Sequence, residues 1–80
     1  AYDNSAKTRQ KQQALALLED RIRENEKRVK DLAAELEKAG QAEAVGERRA
    51  FEHMQRLGLQ AAEAQAKLEA LLAEWERLAE

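Results

Sequence analysis

The chain has no cysteine, no proline, three glycines, and one residue each of tryptophan, tyrosine and phenylalanine among 80 positions. Without cysteine there is no disulfide framework, no thiolate metal site and no cysteine nucleophile. Without proline, nothing forbids long uninterrupted helix. An aromatic content of 4% is too low to fill a compact globular core. Domains this small usually lean on a parent or partner. No apolar run approaches the ~20 residues of a membrane span, and no signal-peptide core is visible. Neither secretion nor a membrane partner is supported, and a cytoplasmic location is the expectation. A strong excess of one charge is missing too. The net charge is -2, with nine Lys/Arg against eight Asp/Glu up to Ala39 and five against eight from Gly40 onward. That balance argues against a generic electrostatic grip on nucleic acid. The opening Ala1-Tyr2-Asp3-Asn4-Ser5 lacks an initiator Met and reads like a piece of something longer.

What remains is mostly Ala and Leu with Glu, Lys, Arg and Gln, and 38% of residues are charged. That mixture belongs to long helices and coiled coils. In the first half, Leu15, Leu18, Ile22, Asn25, Val29, Leu32, Leu36 and Ala39 recur at alternating steps of three and four. Such spacing is the a/d seam of a heptad repeat abcdefg. A second seam runs through Ala50, Met54, Leu57, Ala61, Ala64, Leu68, Leu71, Trp75 and Leu78. Gly40 and Gly46 punctuate the segment between them, and each would cost about 1 kcal/mol inside a continuous helix. A turn is therefore expected over residues 40–46, with Gly40 as a left-handed helix cap. A short connection makes the helices antiparallel neighbours. The fold class is all-α: a single two-helix antiparallel coiled-coil hairpin, with helix 1 about 6–39 and helix 2 about 47–80, monomeric. Each helix would span about 45 Å at 1.5 Å per residue.

If paired residue numbers add to 86, a meets d throughout, the turn centres on Glu43 and Leu18 faces Leu68. Asn25 then meets Ala61, Lys11 meets Trp75, Ala33 makes room for Phe51 and Glu35 meets His53. Arg21 facing Lys67 fits badly, which leaves a slip of one heptad open. Asn25 at a d position either fixes register and partner number or lies where water reaches the seam.

No catalytic constellation is visible. His53 is the only imidazole, and it lacks an orienting partner or a pocket. No metal-ligand spacing exists, and no glycine precedes a lysine as in a phosphate-binding loop. The expectation is no enzyme activity in this chain, no cofactor, no metal and no small-molecule substrate. The glutamate pairs read as a solvated face with i,i+4 partners such as Glu19–Arg23. Basic groups Arg21/Arg23, Lys27/Arg28/Lys30 and Arg48/Arg49/Arg56 are interleaved with acids. Three apolar residues, Leu17, Leu59 and Leu72, lie off the seam. Leu17 and Leu72 fall near Trp75, and they are candidates for docking a protein.

The stretch Leu68-Glu69-Ala70-Leu71-Leu72-Ala73-Glu74-Trp75-Glu76-Arg77-Leu78-Ala79-Glu80 resembles the closing helix of the C-terminal domain of ABC-F family ATPases. Leu32-Ala33-Ala34-Glu35-Leu36-Glu37-Lys38-Ala39-Gly40 is similar to the first helix of those domains running into its turn. The Asp-Pro-like turn of many members is absent. The resemblance implies a parent with two ATP-binding cassettes that acts on ribosomes or other nucleic acid. This chain would be its accessory arm, touching RNA or DNA. The nucleic-acid candidates are Arg23, Lys27, Lys30, Arg48 and Arg49. The alternative is a protein-interaction or spacer coiled coil.

Overall fold

The computed structural model describes residues 2–80, with side chains from Ser5 onward. Helix α1 spans Tyr2–Ala44 and helix α2 spans Ala50–Ala79. They pack against each other as an antiparallel rod of 67 × 14 × 13 Å. The all-α hairpin expected from the two seams is therefore the fold.

The turn lies later than the glycine spacing predicts. Helix α1 continues through Gly40 to Ala44, and the left-handed residue is Gly46, at φ 84°. The Gly46 N–H donates to the Glu43 carbonyl at 2.9 Å and the Glu47 N–H to the Ala42 carbonyl at 3.0 Å. This crossed pair of bonds is the Schellman closure, which satisfies carbonyls the helix end would otherwise leave open. Continuing to Ala44 buries Ala39 and half-buries Ala42, which offsets the cost of one glycine in the helix. Helix α2 begins at Ala50 rather than near 47, with Arg49 as an N-cap that makes no side-chain cap bond.

Moving the turn moves the register. Trp75 Nε1 donates to Glu19 Oε1 at 3.3 Å, and a Cβ on Gly40 would stand 3.9 Å from Met54 Cε. The residue numbers of each pair add to 94. A turn centred between Gly46 and Glu47 requires this, and the a–d layers then pair at 93, one heptad from the expected value. Ile22 thus faces Leu71, Asn25 faces Leu68 and Leu36 faces Leu57. Trp75 stands beside Leu18 and Glu19 instead of Lys11, and Phe51 is 57% exposed rather than cradled by Ala33. The poor Arg21–Lys67 pairing disappears, because Lys67 lines a groove with Arg28 and Glu63.

The core has two clusters. Leu18, Ile22, Leu68 and Leu71 form one; Leu32, Ala39, Leu57 and Ala64 form the other, and Val29 packs against both. A buried leucine or isoleucine contributes roughly 1.5–3 kcal/mol through removal of its surface from water. Asn25, buried between the clusters, donates from Nδ2 to the Arg21 carbonyl of its own helix at 2.8 Å. It lies in mid-seam, not at a wet end, and its one side-chain hydrogen bond stays within its own helix.

Helix α1 outruns its partner. Residue 14 falls opposite Ala79 in this register, so residues 2–13 extend beyond the end of α2 as a single helical stem. Thr8 and Lys11 occupy the seam positions there, which gives another helix little to bury.

Candidate contact surfaces

The five basic candidates do not form one surface. Arg23, Lys27 and Lys30 project outward from the middle of α1 at i, i+4 and i+7, and all are exposed. Arg23 is engaged by Asp20 in an ion pair one turn away. Lys27 lines a groove with Glu24, Arg28, Asp31 and Glu35, three of them acidic. Arg48 and Arg49 lie in the turn. Lys30 precedes the end of α1 by 14 residues, about 21 Å at 1.5 Å per residue. The middle of the rod is thus locally neutralised.

At the turn the arrangement differs. Arg49, His53 and Arg56 follow each other at helical spacing along one side of α2, with Ala39 and Ala42 of α1 and Ala50 as the small residues between them. Glu47 is the only acid lining this groove. His53 therefore belongs here, and not opposite Glu35. Near the turn, Val45 and Phe51 are 84% and 57% exposed; Phe51 takes heptad position e, on the flank of the seam opposite the c and g positions of Arg49, His53 and Arg56. Sequence reading groups Arg56 with Arg48 and Arg49 but does not make it a candidate. The i, i+4, i+7 spacing of residues 49, 53 and 56 is the signal that could have found it.

The docking candidates separate as well. Leu72 lines a groove with Glu19, Ile22, Arg23, Glu26 and Trp75. Leu17 takes heptad position c, outward on the g side of the seam, whereas Leu72 takes position e, which borders the seam on the other side. Both are exposed, at 60% and 41%, but they do not share a patch. Leu59 is 68% exposed and points away from both.

Among the described residues, no group of three or more His, Asp or Glu stands close enough to hold a metal ion. None of the described helices is long and apolar enough to cross a membrane. The class these observations define is an elongated all-α hairpin whose turn end carries a groove with Arg49, His53 and Arg56 against a single acid, and whose other half carries a mixed groove around Ile22, Leu72 and Trp75. No protein-family model, curated protein or solved structure matches the chain.

Proposed function

We propose that this chain is a non-catalytic arm that reaches a polyanionic partner, RNA or DNA, with its turn end. The observation that carries the reading is the groove in which Arg49, His53 and Arg56 face a single acid, Glu47, with Arg48 adjacent. Phosphate backbones are held by such clusters through displacement of condensed counterions. The resemblance of residues 68–80 to the closing helix of ABC-F domains supports a cytoplasmic ATPase as the parent, with the cassettes outside this chain. The isolated hairpin is monomeric and needs no cofactor in this reading.

The test is binding of the Arg48→Gln, Arg49→Gln double variant to structured RNA and to duplex DNA across a salt series. With two phosphates no longer neutralised, the log–log salt slope should fall by about two units and affinity should weaken from a starting Kd that is roughly micromolar or above. Helicity by circular dichroism should not change, because both residues are exposed. Unchanged affinity that persists at high salt contradicts the reading. It would favour the second one, a protein partner docked on the groove of Ile22, Leu72 and Trp75.

A further inference from the structure

We propose that the hairpin is a two-register device, in which α2 slides along α1 by one heptad and the turn moves from 45–49 back to 40–46. Three observations carry it. First, little that is polar pins the observed register. Among the described residues no ion pair joins α1 to α2. Asn25, the buried polar side chain of the seam, bonds to the Arg21 carbonyl of its own helix. The hydrogen bond from Trp75 to Glu19 crosses at the exposed surface, at 3.3 Å. Buried polar residues fix register in coiled coils by bonding across the interface, and Asn25 makes no such bond.

Second, the slipped seam is also apolar. With pair numbers adding to 86, Leu18 meets Leu68, Ile22 meets Ala64, Val29 meets Leu57 and Leu32 meets Met54. The stem of α1 supplies the new end, with Lys11 over Trp75 and Thr8 beside Leu78. Third, the observed register gives no steric reason for a glycine at position 40. A Cβ there meets only the flexible tip of Met54, at an ordinary 3.9 Å. In the slipped register Gly40 becomes the residue just past the end of α1, where the left-handed conformation favours glycine.

A slip displaces α2 by seven positions, about 10 Å at 1.5 Å per residue. It also removes Ala39 and Ala42 from beneath Arg49, His53 and Arg56, so an occupant of the turn groove would hold the observed register. The slip itself does not depend on the nucleic-acid reading and is tested without nucleic acid.

The absence of native cysteine makes disulfide trapping clean. Ile22→Cys is combined separately with Leu71→Cys, Ala64→Cys and Leu57→Cys, and each variant is oxidised in a glutathione buffer. The first pair reports the observed register, the second the slip, and the third a two-heptad offset reached only through unfolding. The second pair should oxidise more slowly than the first, well above the third, and should retain its helical signal once closed. Adding Gly40→Ala should slow closure of the second pair roughly five-fold, since alanine favours the helix interior by about that factor. As a readout that leaves the seam intact, spin labels at the exposed Lys30 and Arg77, offset along the rod by about 21 Å in the observed register and about 31 Å in the slipped one at 1.5 Å per residue, should show two separations, the minor one lost with Gly40→Ala. Closure of the second pair no faster than the third, or a single separation insensitive to Gly40→Ala, overturns the proposal.

Discussion

At the scale of the residue, Asn25 shows how a polar group can be buried without holding two helices together. Its Nδ2 bond to the Arg21 carbonyl adds a second donor to an acceptor that the helix backbone already uses. Replacing it with leucine therefore strands no partner. The neighbouring groove lined by Arg28, Gln60 and Ala64 leaves room for the slightly bulkier methyl groups of leucine. We expect Asn25→Leu to raise the unfolding free energy by about 1–2 kcal/mol, from apolar area buried against Leu68. Thermal denaturation followed by circular dichroism measures this, and a lower midpoint would show that Asn25 stabilises the seam through interactions beyond its own helix. The residue was legible in sequence as a seam position; its partner was not. Whether an asparagine bonds forward, backward or across depends on a rotamer, and no spacing rule encodes a rotamer.

At the scale of the element, the two glycines near the turn have different roles that the sequence could not separate. Both stand after helix-forming residues, and a left-handed cap at either position closes a helix. The choice depends on tertiary burial. Extending α1 covers Ala39 and Ala42, whereas ending it at Gly40 would not. Gly46 is the one at positive φ, so Gly46→Ala should destabilise the hairpin by about 1 kcal/mol through strain in the left-handed conformation. Gly58 lies inside α2, and a Cβ there meets nothing within 4 Å. Gly58→Ala should accordingly stabilise by about 1 kcal/mol. Urea titration of the two variants should shift the midpoints in opposite directions; shifts of the same sign would contradict this division of roles. The error in the turn carried straight into the register, because moving a turn by one residue changes the pair sum by two.

At the scale of the whole molecule, the fold was readable while the surface was not. Alternating three–four steps at Leu15 to Ala39 and Ala50 to Leu78 dictate two seams, and two seams in one chain dictate a hairpin. Which charges gather on the outside depends on register and turn position together. Arg23, Lys27 and Lys30 therefore ended beside acids, while Arg49, His53 and Arg56 came to one groove. The same register leaves residues 2–13 of α1 without an opposing helix. Deleting residues 1–13 should lower the melting temperature by no more than a few degrees, since the deletion removes no layer of the seam. A large drop would mean that the stem packs on the hairpin.

The unequal, antiparallel pair also has a mechanical consequence. Both chain ends leave the rod on the side away from the turn. Tension applied between them peels the helices apart one layer at a time, starting where Leu15 meets Leu78. Tension between the turn and either end instead loads every layer in shear at once. Because each layer touches little beyond its neighbours, as in other quasi-one-dimensional folds, peeling requires far less force than shearing. The arm is therefore stiff when its tip is pulled and compliant when its two roots are drawn apart.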